Sequence, residues 1–483
     1  MKTLAELSYA IKTRRISSEE AVGRALGAAD KWQPRLNAFR ATYPESAALL
    51  ARQIDNASEE KATKPLCGVP LAHKDMFDYP GHRSSYGSRI PQEVPAKTAA
   101  TVVDRLEAAG TVTVGFLSMA EFALGPTGHN TPFRHCRNAR DPERISGGSS
   151  AGSGAAVGAG IVPASLGSDT GGSVRIPASV NGITGLKPTQ AQLSRAGAML
   201  LSPSLDCVGT LARSAEDCGI LMAAASGRDL RDPTALSGAF AGNGVFDGRA
   251  ADPGKLRLGF PKDVSDVDSD VLIALTGATL DLERAGVAID DVELTDVSHL
   301  HKLADVIQKA ESAAVHRGRL SERGADYTPH IRRRIEPGYF VSAATYIDAL
   351  SQRELWLQRF VEETLAKVDA LIVPTVGVAV PTVEETDEEL LGAMPDLVGR
   401  MTRWTRWLNY LGVPALTVPC GRDRNGMPVG MQIVGRPFSE ARLIEIGMLF
   451  QTLTDWHLDV PDLFSDPPRT STRQDQIENR QHA

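Results

Sequence analysis

The chain has 483 residues, 42% of them hydrophobic and 23% charged, with a formal net charge of −7. No basic block marks a nucleic-acid partner, no run reaches the roughly 20 apolar residues of a membrane span, and the cysteines (Cys67, Cys136, Cys207, Cys218, Cys420) are odd in number without any CxxC pair. That usage argues against a disulfide framework or a zinc knuckle, and the early charges Glu6, Lys12, Arg14 and Arg15 break any signal-peptide core, so a cytoplasmic protein is expected.

Residues 1–60 read as a helical lead-in, with Leu4, Leu7 and Ile11, then Ala47, Leu50 and Ile54, at helical spacing. Residues 68–75 (GVPLAHKD) predict a short buried strand, 98–109 a helix closed by Gly110, and 111–114 a second strand. Strand, helix and strand in that order imply a crossover and parallel pairing. The order recurs at 256–260, 270–285 and 287–294, with Gly286 ending the helix. Short apolar runs follow at 370–375, 415–421 and 429–435, each stopped by Pro or Gly, and the fold class is therefore α/β. Residues 225–255 are the best candidate for a surface excursion, and the polar tail 466–483 is expected to be mobile.

Two segments rich in glycine and serine lie between these units. Residues 145–165 (ISGGSSAGSGAAVGAGIVPAS) form either a Gly/Ala helix wedged against a sheet or an anion-binding turn. No GxGxxG follows a strand, no GK[ST] is present, and GLKPT at Gly185 has proline where a helix should begin. A nucleotide-binding module built on these loops is the contrasting function from another class.

In residues 167–179 (GSDTGGSVRIPAS), Gly171 and Gly172 can take positive φ and turn successive N–H groups toward one point beside the Ser173 hydroxyl. Such a nest beside a nucleophile is an oxyanion hole. A serine hydroxyl also requires a base. His73 and His129 are available, although no GxSxG elbow frames a Ser-His-Asp set.

Lys74 in VPLAHKD, the run GGSSAGS around Ser149 and the segment GSDTGGSVRIPASVNGITGLKPT together resemble the amidase signature family in order, spacing and wording. Supporting pieces include FLSMAEFALGPTGHN at 116–130, SLDCVGTLARSAED at 204–217 and YLGVPALTVPCG at 410–421, so the resemblance spans about residues 4–460. It implies one domain over 1–465, a central mixed sheet wrapped by helices, with the catalytic motifs in 68–190. It also implies a Ser-Ser-Lys triad: Ser173 as nucleophile, Ser149 as bridging serine in a cis peptide, Lys74 as base.

The resemblance further places the oxyanion hole on Thr170, Gly171, Gly172 and Ser173 and a main-chain substrate contact at Met119. Ser150, Ser168, Asp169 and Arg175 are expected to give supporting hydrogen bonds. Neither metal nor organic cofactor is required. For the lysine to act as base, burial must lower its pKa by roughly 2 to 3 units. Two departures stand out: His73 where a small apolar residue is usual, and Thr210 where proline is expected.

The expected partner is a small-molecule amide, with no nucleic acid and no membrane; a homodimer stays open. A free-standing amidohydrolase is favoured over the glutaminase subunit of an aminoacyl-tRNA amidotransferase. In MTRWTRWLNYLGVPA, Thr402 stands where the resemblance to glutaminases leads one to expect an aspartate for the substrate's ammonium. Trp404 and Trp407 alongside either offer apolar area to a substrate or pack a helix. The resulting expectation is that neutral aromatic or aliphatic amides are preferred to glutamine.

Overall fold

Hydroxyl side chains start the first two helices. Thr3 and Glu6 form a reciprocal capping box at α1 (Leu4–Lys12), and Ser17 caps α2 (Ser18–Leu36). Pro44, in the first turn, opens α3 (Pro44–Asp55), where its missing N–H leaves no bond unmade. The expected helical lead-in is interrupted by a strand, β1 (Phe39–Thr42), which is too short for any periodicity to reveal. The computed structural model describes residues 3–57, 64–236, 240, 246, 248–391 and 396–461.

The first crossover forms as expected from β2 (Pro70–Lys74), α4 (Thr101–Ala108) and β3 (Val112–Leu117), with β2 and β3 parallel. These strands do not join the central sheet. They make a three-stranded sheet of order β1-β3-β2.

The central sheet contains β4 (Ala164–Asp169), β5 (Thr184–Lys187), β6 (Cys207–Ala212), β7 (Arg257–Pro261), β8 (Ala288–Val292), β9 (Ala370–Pro374), β10 (Ala415–Arg422) and β11 (Pro428–Val434). Its order is β4-β6-β5-β10-β11-β9-β7-β8. The β8-β7-β9 end is parallel and the remaining pairs antiparallel, giving the mixed sheet expected. Strands β4 and β6 are buried along their whole length, so neither carries the alternation that marks a half-exposed strand. Thr210 lies in the middle of β6, opposite Leu166 on one side and Leu186 on the other.

Helices α5 (Ala151–Gly158), α6 (Arg175–Val180), α7 (Ala215–Ala225), α8 (Ser269–Arg284), α9 (Val297–Arg323) and α10 (Pro329–Ile335) complete the elements that bear on the site. Every residue of α5 is buried. A Cβ on Gly152 would sit 2.3 Å from the Ala38 carbonyl oxygen, so this segment is glycine-rich because backbones pack against it at contact distance. The wedged-helix alternative therefore describes α5, and its N-terminus is not open to a nucleotide.

Part of the proposed excursion at 225–255 is tied down: Ser194 Oγ donates to Asp229 (2.5 Å) and the Arg195 N–H to Asp232 (2.7 Å). The tail 466–483 lies outside the described residues. Among the described residues, no helix is long and apolar enough to cross a membrane.

Candidate active site

Strand β2 ends by carrying Lys74 into the interior, where the side chain is fully buried. Its Nζ lies 2.7 Å from Ser149 Oγ and 2.8 Å from Ser168 Oγ. Burial lowers the Lys74 pKa to about 7, against the opposing attraction of Asp206 and Asp169. A large share of the amine is thus neutral near pH 7 and able to accept a proton. Ser149 follows a cis Gly148–Ser149 peptide bond, as the resemblance implies.

Ser173 lies between β4 and α6, half-buried, in the wall of a cleft of about 800 Å³ that Thr170 and Gly171 also line. Its carbonyl accepts the Ser150 N–H at 3.3 Å. The order is therefore a buried amine, a buried serine hydroxyl and an accessible serine hydroxyl.

An ion pair with no exposed atoms to speak of holds this loop. Arg175 Nε and Nη2 each donate to Asp169 at 2.9 Å, and both side chains are completely buried. Asn409 Nδ2 donates to the Asp169 carbonyl (2.9 Å) and carboxylate (3.0 Å), while Arg175 also reaches Asn409 Oδ1 (2.7 Å) and Gln432 Oε1 (2.9 Å). Burial alone would raise the Asp169 pKa, but Arg175 and these donors hold its carboxyl well below the usual range.

The same carboxylate accepts the N–H of Gly172 (2.8 Å) and of Val174 (3.1 Å). Gly172 is thereby corrected as an oxyanion donor, because its N–H already points at Asp169. Its role is conformational: φ is +128°, and a Cβ would fall 2.4 Å from Thr405 Oγ1. The N–H groups of Gly171 and Ser173 make no hydrogen bond among the described residues.

Asp206, inside the 204–217 segment but assigned no role there, holds the loop's other end. It accepts from Thr170 Oγ1 (2.6 Å) and from the N–H groups of Leu201 (2.8 Å) and Ser202 (3.0 Å). Burial raises its pKa to about 6. Thr405, equally unmarked, donates to the Gly171 carbonyl at 2.7 Å.

Other expectations are redistributed. Met119 does not line the cleft; it is buried behind the triad, its carbonyl accepting from Asn130 Nδ2 (2.9 Å), while the next N–H, of Ala120, donates to the Ser149 carbonyl (3.1 Å). Ser168 Oγ accepts from Lys74 Nζ, and Ser150 Oγ lies 3.4 Å from the Ser168 carbonyl.

His73 is completely buried, its Nδ1 accepting from the Leu166 N–H (3.3 Å), and burial lowers its pKa to about 3. His129 bonds Thr386 (2.8 Å), with its pKa lowered likewise to about 3. Neither lines the cleft with Ser173. Trp404 and Trp407 are buried in the core, Trp407 edge-on to Phe360 and donating to the Trp404 carbonyl, so they offer no wall to a substrate. Thr402 does line the cleft.

A family model described as Amidase matches residues 20–444. The chain is 34% identical over 496 residues to a glutamyl-tRNA(Gln) amidotransferase subunit from Cupriavidus necator, covering 95% of this chain and 98% of that one. Among solved structures, one described as an amidase superposes with a TM-score of 0.83 at 30% identity, over 93% of this chain and 99% of the other. Another, from a vestigial protein complex tied to the evolutionary origins of an s-triazine catabolic enzyme, gives a TM-score of 0.85 at 32% identity, over 94% and 98%.

Proposed function

The chain belongs to the amidase family, and from that premise we propose how it cleaves an amide C–N bond and which residues do so. Neutral Lys74 takes a proton relayed through Ser149 from the Ser173 hydroxyl as Ser173 Oγ attacks the carbonyl carbon. The N–H groups of Gly171 and Ser173, aided by the Thr170 backbone, stabilise the developing oxyanion. The relay then runs backward to protonate the departing amine. Water, deprotonated along the same path, cleaves the acyl-Ser173 ester and regenerates the enzyme.

The observation that carries this reading is the 2.7 Å contact between Lys74 Nζ and Ser149 Oγ in a buried site that lowers the lysine pKa to about 7. A fluorophosphonate probe is expected to label Ser173, and Ser173→Ala to lose labelling and turnover with folding intact. Labelling at another residue, or turnover surviving in that variant, rejects the assignment.

A second reading is favoured by the name its relatives carry: the glutaminase subunit of an aminoacyl-tRNA amidotransferase, working with partner subunits. The two separate by assay. A free-standing amidase turns over amides alone, whereas a glutaminase subunit prefers glutamine and gains activity with its partners. The expected preference for neutral amides keeps one support, Thr402 in the cleft where an aspartate is expected of a glutaminase, and loses the other, since both tryptophans face the core. A cytoplasmic address forms part of the proposal, supported by cysteines that are all outside disulfides. A homodimer is a further open element of it, to be read from the mass in solution.

A further inference from the structure

The protein as a whole is acidic, with a net charge of −7, yet the cleft at Ser173 is basic. Five cationic side chains line it, Lys302 and Lys309 of α9, Arg333 and Arg334 of α10, and Arg406, against two carboxylates, Asp305 and Glu388. Both carboxylates are already paired. Asp305 holds Lys309 (2.6 Å) and Arg406 (3.1 Å), and Glu388 holds Arg334.

Arg406 stands nearest the chemistry. A side chain on Gly171 would meet its Nε at 3.3 Å, so the guanidinium stem lies against the oxyanion loop. Among the described residues only one terminal nitrogen is engaged, toward Asp305 and, at 3.5 Å, His301. Its Nε is buried with no hydrogen-bond partner, and the same holds for Arg334 Nε and His301 Nδ1 in the same wall. The Arg406 Nη2 makes no hydrogen bond among the described residues and is not among the buried nitrogens, so the guanidinium keeps one open end in the cleft wall, and a planar anion is the partner a guanidinium holds best.

Resting on the amidase reading above, we propose that the substrate is an amide that also bears a carboxylate, seated on Arg406, and bears no ammonium group. A cation would enter a cleft whose two acids are occupied, where Thr402 offers only a hydroxyl that already donates to the Gly399 carbonyl (3.1 Å). A neutral amide would leave the guanidinium edge unmatched. Monoamides of short dicarboxylic acids and N-acyl glycines both fit, placing the carboxylate on the acyl or the amine side.

The test is kcat/KM of the full chain on succinamate and N-acetylglycine against their methyl esters, and on glutamine. An anionic amide is expected to exceed its neutral counterpart by about ten- to hundredfold, with the ratio falling toward one in Arg406→Gln and partly restored in Arg406→Lys. In parallel, succinate is expected to protect Ser173 from fluorophosphonate labelling at concentrations where its dimethyl ester does not. Equal protection by the two, or preference for neutral amides or glutamine, overturns the inference while Ser173 labelling leaves the amidase reading in place. Loss of labelling altogether instead rejects the amidase reading.

Discussion

The inner and outer halves of the site differ in how completely their polar groups are engaged. In the loop from Asp169 to Arg175, charge meets charge without exposure, and one carboxylate accepts from an arginine side chain, an asparagine and three backbone N–H groups. Along the outer wall, Arg406, Arg334 and His301 each keep a buried nitrogen without a partner among the described residues. An engaged network fixes atoms, which the chemical step needs; an unengaged one leaves binding capacity for a ligand. The inner half therefore governs kcat and stability, and the outer half governs which amide is taken.

The strongest way to break that division is at the base. Lys74→Ala is expected to lower kcat by about 10²–10⁴-fold, the range for general-base loss. In the unaltered enzyme the acylation rate should rise with pH through about 7, as Lys74 sheds its proton, and the variant should lack that limb. The stability sign is opposite to that of a lysine in an ordinary ion pair, whose pKa is raised. Because the folded pKa lies below the unfolded one, folding is penalised more as pH falls from about 10.5 to about 7 and is level below that. Lys74→Met should then be more stable than the parent at pH 7, with about 5 kcal/mol as a ceiling. A parent enzyme whose stability is flat between pH 7 and 10 would contradict a neutral buried lysine.

Next in size is Asp169→Ala, which strands Arg175 in the interior and should cost about 3–5 kcal/mol in denaturant unfolding. The depressed Asp169 pKa gives stability that is present above the ordinary carboxylate range and is lost as pH falls below it. A loss under 1 kcal/mol would show that Asn409 and Gln432 alone hold Arg175.

Asp206→Asn keeps the size but weakens the hold on Thr170, and roughly tenfold in kcat with little change in KM is expected. A change confined to KM would move Asp206 into the binding half. The smallest effect belongs to Lys302, exposed at the cleft mouth. Lys302→Ala should leave stability within about 0.5 kcal/mol and lower kcat/KM for an anionic amide two- to threefold, a difference that 0.5 M salt should erase.

This division also marks what the sequence makes legible. Ser149, Ser168, Asp169 and Ser173 fall within 25 residues of one another, so a local motif displays them, and Lys74 joins them through its own short strand. Asn409, Gln432, Asp206 and Arg406 reach the site only because β6, β5, β10 and β11 are neighbours in the sheet. No local pattern distinguishes such an asparagine or arginine from a surface one. Trp404 and Trp407 carry the opposite ambiguity, since apolar residues three apart look alike whether they face a cleft or a core. The α/β class and the later parallel pair β7 and β8 were legible from strand and helix spacing. Strands β1, β4, β5 and β6 were not, being short or wholly buried.

The clamp on Arg175 has a consequence for synthesis. Its partners lie 234 residues downstream, at Asn409, and 257 downstream, at Gln432. A ribosome-bound chain that has already exposed Lys74, Ser149 and Ser173 still lacks the two side chains that hold the nucleophile loop in register. Contacts of such long sequence separation form late. Hydrolysis is therefore expected to begin only once nearly the whole polypeptide has emerged and folded back on its first third.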